Sequence, residues 1–282
     1  MTGFTNYSAD NVANYLTGQI PMPSLPAVYM ALFTAVGTDA GTGFTEVTGG
    51  SYARLQVAGS LAATASWTTS TPNITMASNP GWVVPGMTVY DTTNSKAIGT
   101  VLTFSGTALV LTANAANASS GTTDNLTFSA FSNATGTGPA TISNNAAIAF
   151  PLSTASWGTA IAFGFYDASS SGNLLDWDWL GLYSWLPCTI SLASPGVFTA
   201  HAHGYANGNS VVYSVEYGGT AATGLTPGNT ILTVAGVTTD TFNVGVNTSA
   251  TGNGMVRQIL QQVIPSNNIV SFAANQLVMT FA

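Results

Sequence analysis

The stretch from Val28 to Val57, VYMALFTAVGTDAGTGFTEVTGGSYARLQV, constrains the fold most. In an extended chain Val28, Met30 and Leu32 point to one side and Tyr29, Ala31 and Phe33 to the other, because successive side chains alternate across a strand. Both faces are therefore apolar, and a strand of that kind is covered on both sides. From Gly37 to Gly50 the chain passes through a Gly/Asp/Thr segment. It then resumes as an alternating strand, Tyr52-Ala53-Arg54-Leu55-Gln56-Val57. Two strands around a long ordered loop read as the central hairpin of an all-β domain.

The remaining sequence keeps to that class. Within residues 67–128, short apolar runs at Ile74–Met76, Thr88–Tyr90, Ala97–Val101, Ala108–Thr112 and Asn125–Phe128 are separated by turn formers such as Asn79-Pro80-Gly81 and Ser105-Gly106. Five strands at that spacing predict a small barrel or sandwich. Apolar patterning returns from Ala146 through Phe165-Tyr166 and continues past the Asp167–Gly172 turn. A second module is expected over 188–252, with strands at Phe198–Gly204, Ser210–Val215, Thr230–Val234 and Thr241–Val244. The expected layout is a β-sandwich-like host domain made of 1–66, 129–187 and 253–282, interrupted by two small inserted barrel or sandwich modules at 67–128 and 188–252. The final strand, Gln276–Phe281, is expected to close the host sheet.

One short helix is expected near the N-terminus. Ser8 is a suitable cap, Val12, Tyr15 and Leu16 share a face, and Gly18 is a stop signal. A single apolar stripe over two turns is not stable alone, so this helix must pack on the sheet. Pro21, Pro23 and Pro26 then give an extended lead-in to the first long strand.

Several motifs carry a resemblance. Leu32-Phe33-Thr34-Ala35, the Gly/Asp loop, Thr45-Glu46-Val47-Thr48-Gly49-Gly50-Ser51-Tyr52-Ala53-Arg54, Ala149-Phe150-Pro151 and Ala155-Ser156-Trp157-Gly158-Thr159 together resemble a family of small virion structural proteins of tailed bacteriophages, of the tail, tail-fibre or decoration type. The likeness covers roughly 1–66 and 129–182. The segments at 67–128 and 188–252 resemble modules found in phage fibre-type proteins. The family implies a virion component without an active site. Its partners would be other copies of itself and other virion proteins, and it would be made in the bacterial cytoplasm.

Composition narrows the function classes. Three Lys and Arg stand against ten Asp and Glu, a net charge of −7 with only 5% charged residues. A basic face for nucleic acid cannot be built from that. A surface so poor in charge suits a permanent assembly, where charges at buried contacts cost desolvation energy. The opening residues MTGFTNYSAD lack the basic and apolar regions of a signal peptide. The apolar runs are too short and too broken to span a membrane. The lone Cys188 reads as a small buried apolar residue rather than half of a disulfide.

Few residues are candidates for chemistry. Asp176-Trp177-Asp178-Trp179, with Tyr183 and Trp185, is the densest aromatic and acidic cluster. On a strand, Trp177 and Trp179 share one face and the two carboxylates the other. Trp177, Trp179, Tyr183 and Trp185 are candidates for a core, a subunit interface or a glycan contact. Asp176 and Asp178 could serve glycoside hydrolysis only if they converged on one cleft. Arg54 is expected in a structural salt bridge with Glu46 or Asp167. His201 and His203, two apart on an expected strand, would share a face, but no third ligand accompanies them. No catalytic residue, cofactor site or metal site is assigned, and no nucleophile or phosphate-binding motif occurs. The sequence favours a non-enzymatic virion structural protein on the outer surface of the particle. The alternative is a module that contacts host-surface glycan.

Overall fold

The computed structural model describes every residue except 1–2, 22–26, 116–120, 135–139, 182, 216–217 and 282. The Pro23 and Pro26 part of the lead-in therefore lies outside the described residues. The chain opens with β1 (Gly3–Phe4), α1 (Asn6–Leu16), β2 (Ala27–Ala35), β3 (Thr45–Glu46) and β4 (Leu55–Trp67). Five strands follow: β5 (Asn73–Thr75), β6 (Thr88–Asp91), β7 (Lys96–Ser105), β8 (Ala108–Leu111) and β9 (Gly121–Ser129). Then come β10 (Ala140–Ser143), β11 (Ile148–Ala149), β12 (Gly158–Ala160), β13 (Ala162–Tyr166) and β14 (Leu174–Trp179). The next group is β15 (Leu186–Ile190), β16 (Val197–Thr199), β17 (Ser210–Ser214), β18 (Leu232–Thr233), β19 (Thr241–Asn243) and β20 (Gly252–Ile259). Three short strands finish the chain: β21 (Gln262–Ile264), β22 (Ser271–Phe272) and β23 (Val278–Phe281). The fold is all-β with one short helix, in sandwich-like layers.

The central layer runs β1-β14-β13-β2-β4, all antiparallel. Ala31 lies opposite Gly164, and Gly164 opposite Trp177, so three strands are in register at the middle of the sheet. The doubly apolar strand predicted from Val28–Phe33 is covered on both sides. Met30 and Leu32 enter one core with Phe150, Trp157 and Phe165. Ala31 and Phe33 enter another with Tyr166, Trp177 and Trp179. All four β2 side chains from Met30 to Phe33 have 0% exposure.

The long strand β4 leaves this layer and becomes part of a ring. One edge pairs first with β2 (Ala27–Met30 against Leu55–Gly59) and then with β5, while the other edge pairs with β9. The pairings β4–β5, β5–β8, β8–β7, β7–β6, β6–β9 and β9–β4 close on themselves, which leaves no free edge within the ring. Ile74, Val89, Ile98, Leu109, Leu126 and Phe128 fill it and are continuous with the core under Met30 and Leu32.

A second sheet, β18-β17-β20-β15-β16-β19, spans residues 186–259. Its own core stacks Phe198 on Phe242, ring centroids 4.9 Å apart, with Tyr213 edge-on. Its other contribution is Val212 and Ile259, with half-buried Ile231, which pack against Phe33 and Trp179 on the central sheet. The molecule is therefore layered on both sides of β2.

The tail retraces the segment 140–160 in the opposite direction. β23 pairs β10, β22 pairs β11 and β21 pairs β12, as three two-stranded ribbons. The closing strand β23 thus pairs with β10, which lies within 129–187, in a two-stranded ribbon of its own. The helix differs in detail. Its cap position is Thr5, not Ser8, and the Thr5 hydroxyl donates to the carbonyls of Leu174 and Leu175 instead of capping. Pairing of β1 with β14 fixes the chain one residue before the helix, so tertiary contact, not the local cap signal, sets where it starts.

Candidate functional site

A cleft of about 710 Å³ opens where the end of β14, the loop after it, the end of β20 and the tail meet. Asp178, Trp179, Tyr183, Arg257, Leu260 and Phe272 define its walls. Ligand sites favour such junctions between structural units. Arg257 on β20 donates to both oxygens of Asp178 on β14, at 2.7 and 3.2 Å. The Arg257 side chain is 8% exposed and that of Asp178 37%, so the pair is a partly sheltered floor of the cleft. The backbone N–H of Trp179 donates to Asp178 Oδ1 at 2.7 Å and fixes the carboxylate further.

The aromatic cluster divides by burial. Trp177 and Trp179 lie edge-to-face at 5.7 Å, and Phe44 meets Trp177 at 5.2 Å. Trp177 is 4% and Trp179 2% exposed. Trp185 is half-buried against the same core. Tyr183, 41% exposed, is the aromatic of the four that presents a ring to solvent at the cleft.

The two carboxylates of this strand do not converge. Asp178 faces the cleft, whereas Asp176 lines a different, apolar cavity beneath α1. Burial pushes the Asp176 carboxyl up to about 6. The N–H of Trp177 opposes that shift, and the charge of Asp178 adds to it. A glycoside hydrolase needs its acid and its second carboxylate on one scissile bond. This arrangement does not supply that.

Arg54 organises a second polar cluster. Its guanidinium donates to Glu46 Oε1 through one edge, from Nε at 3.0 Å and from Nη2 beside it. It also donates to the carbonyls of Ala168 and Ser171 at 2.9 and 2.6 Å. The plane lies 3.4 Å from the centre of the Tyr166 ring. Asp167 does not meet Arg54; it accepts from the backbone and side chain of Asn173 at 2.7 and 2.8 Å. Asp167 thereby shapes the turn whose carbonyls Arg54 binds. The Tyr52 hydroxyl donates to Glu46 at 3.1 Å, and burial pushes its pKa well up.

The two histidines do not share a face. β16 ends at Thr199, and Ala202 turns the chain with φ of 49°. The His201 side chain is 92% exposed and lies 3.0 Å from Asp240. The N–H of Ala202, and then His201, hold that carboxyl below its ordinary value. His203 is buried between Tyr205 and Phe242, and its Nδ1 accepts the Tyr205 N–H at 2.9 Å. Cys188 is buried, which pushes its thiol up to about 12. Among the described residues no three His, Cys, Asp or Glu side chains gather as a metal site would require.

Sequence reasoning missed the Asp178–Arg257 pair. The two lie 79 positions apart, and nothing local links them. The one usable signal was scarcity: with three cations in the chain, each was worth a search for its partner.

No curated protein matches the chain. The family model described as Podophage GP4 fiber I protein gp80 matches residues 3–130 and 92–181. Those stretches run from β1 through β14 and end before the second sheet begins at Leu186. They take in the doubly apolar strand, the ring, the Arg54 cluster and the Trp177–Trp179 strand, well over half of the chain. The chain therefore belongs to the Podophage GP4 fiber I protein gp80 family of phage fibre proteins.

Proposed function

We propose that this fibre-family chain is a non-enzymatic structural protein on the outer surface of the phage particle, and that copies join through apolar β-rich surfaces. The observation that carries the reading is the rim of the cleft. Tyr183, Leu260 and Val278 are 41%, 48% and 59% exposed there, with Val263 at 61% on the neighbouring ribbon. Exposed apolar side chains grouped in this way mark contact surfaces. The small number of charges leaves little to keep copies apart. Light scattering between about 50 mM and about 1 M NaCl tests it, because an apolar interface resists screening and an ion-paired one does not. The expected result is a salt-insensitive oligomer that Leu260→Ser with Val278→Ser breaks. A monomer at micromolar concentration rejects this mode of assembly.

The geometry also supports residues 67–128 and 188–252 as modules inserted into a host of 1–66, 129–187 and 253–282. Ile190 lies opposite Gly252, so the second module leaves and returns through adjacent ends, whereas the first leaves along β4 and returns along its neighbour β9, with Gly59 opposite Phe128 and Trp67 opposite Gly121. Adjacent ends make insertion tolerable to a host fold.

A second reading is a glycan contact in the cleft. Tyr183 offers a ring for stacking on a sugar, and Asp178, Gln262, Asn275 and Gln276 offer hydrogen bonds to hydroxyls. A glycan array with wild type and Tyr183→Ala tests it. Binding lost in the variant supports it, and an array blank for wild type removes it.

A further inference from the structure

Helix α1 lies over the cavity of about 420 Å³ that Asp176 lines. It is a cover with little hold of its own. None of its eleven residues is buried, and a helix of this length is marginal without tertiary packing. Its anchor is at the front. Thr5 is 1% exposed, its hydroxyl donates to the carbonyls of Leu174 and Leu175, and the Asn6 N–H donates to the Asp39 carbonyl at 2.7 Å. Behind the helix, Gly18 turns the chain with φ of 73°, where an added Cβ would meet nothing within 4 Å. Between the anchor and that free turn, Tyr7 and Val12 close the cavity from above.

The space below suits a carboxylic acid better than a carboxylate. Phe131, Phe165 and Leu175 wall it, and Asp176 is its one carboxylate. Asp176 accepts the N–H of its neighbour Trp177 at 2.8 Å. The titratable groups on the surrounding elements offer no counterion. From α1, Tyr7 lines the cavity, while Asp10 and Tyr15 are exposed. Along β14, Asp178 faces the cleft, is held by Arg257, and repels a charge on Asp176. The Asp39 carboxylate lies against Trp177 Nε1 at 3.4 Å, on the other face of the strand. Tyr166 on β13, with Arg54 over its ring, belongs to the core beyond the sheet, and Tyr29 on β2 lies opposite it. An ionised Asp176 must therefore stay in apolar surroundings or reach water. The way to water leads through α1.

We infer that α1 is a pH-sensitive lid, which closes over Asp176 when that side chain is protonated and lifts when it ionises. The helix turns between Thr5 and Gly18 and uncovers Phe131, Phe165 and Leu175. Burial sets the sign. It holds the Asp176 carboxyl at about 6, above the ordinary 3.8. The closed lid is thus favoured in acid, and its advantage is lost as pH rises through about 6. With the ordinary value restored in the open form, the open fraction grows about ten-fold between about pH 5 and about pH 7.5. This device is independent of the fibre reading and of the cleft.

The test is hydrogen–deuterium exchange of peptides covering 6–16, corrected for the intrinsic pH dependence of exchange, at about pH 5 and about pH 7.5. It compares wild type, Asp176→Asn and Asp10→Asn. Wild-type α1 is expected to lose protection about ten-fold at the higher pH. Asp176→Asn should protect α1 equally at both, and Asp10→Asn, altered on the exposed side, should follow wild type. Peptides from β2 should stay protected throughout. Wild type decides alone even where a variant misfolds, because an α1 equally protected, or equally unprotected, at both pH values overturns the inference. So does a loss that persists in Asp176→Asn or vanishes in Asp10→Asn. A loss that spreads to β2 also overturns it, by making the change global rather than the motion of a lid.

Discussion

The guanidinium of Arg257 on β20 grips the carboxylate of Asp178 on β14 through two hydrogen bonds, and so ties the second sheet to the central one. The tie sits beside the shared apolar contact of Val212 and Ile259 with Phe33 and Trp179. Position and chemistry are thus coupled: the ion pair sets how the second sheet meets the first, and its outer side forms the floor of the cleft.

Breaking that pair from one side leaves a sheltered charge without its counterpart. Asp178→Asn should destabilise the fold by roughly 2–3 kcal/mol, less than a fully buried pair because Asp178 is partly exposed. The double change Asp178→Leu with Arg257→Met should recover most of the loss. Urea unfolding of the three proteins checks both statements, and equal losses for single and double variants would contradict the account.

The Asp176 carboxyl gives a pH dependence of definite sign. Its folded pKa, about 6, lies above the ordinary 3.8, so the folded chain holds the proton more tightly than the unfolded chain does. Its stabilising contribution is therefore complete below about pH 4, is lost as pH rises to about 6, and is flat above that. The span is on the order of 3 kcal/mol. Unfolding midpoints at several pH values for wild type and Asp176→Asn should diverge across this window. Parallel curves would mean that the carboxyl is better solvated than its cavity implies.

Gly164 should not tolerate even a methyl group. A Cβ there would lie 2.8 Å from both Leu174 Cδ1 and Phe33 Cε2 and 2.9 Å from the Asp176 carbonyl. Gly164→Ala should cost about 1–3 kcal/mol through overpacking. Thermal melting measures it, and an unchanged midpoint would show that the two sheet faces yield more than their packing suggests.

Removal of the two modules should have unequal outcomes. Replacing 68–120 by a short Gly/Ser linker between Trp67 and Gly121 closes a gap between paired residues, and the entropy of such a loop grows slowly with length. The host should keep a cooperative melt, at reduced stability because the ring shares its core. Deleting 188–252 should instead uncover Phe33, Trp177 and Trp179 and cause aggregation, which size-exclusion chromatography detects. A soluble monomer after the second deletion would show that the shared core contributes little.

The sequence alone determined the class of fold and the character of its central strand. Alternation at Val28–Phe33 is a local property, and only a strand covered on both sides satisfies it. It also showed that Trp177 and Trp179 share a face, because strand geometry fixes that whatever the surroundings. Tertiary structure decided which layer covers each face, that β23 pairs β10, and that Thr5 sits at the start of the helix. It decided that Asp176 and Asp178 open on separate cavities and that Arg257 meets Asp178. It also turned His201 outward while burying His203, since the strand ended earlier than its composition suggested. The reason is common to these cases. Alternation and turn chemistry act over a few residues, whereas the partner of a strand edge or a buried charge is chosen by packing between segments far apart in the chain.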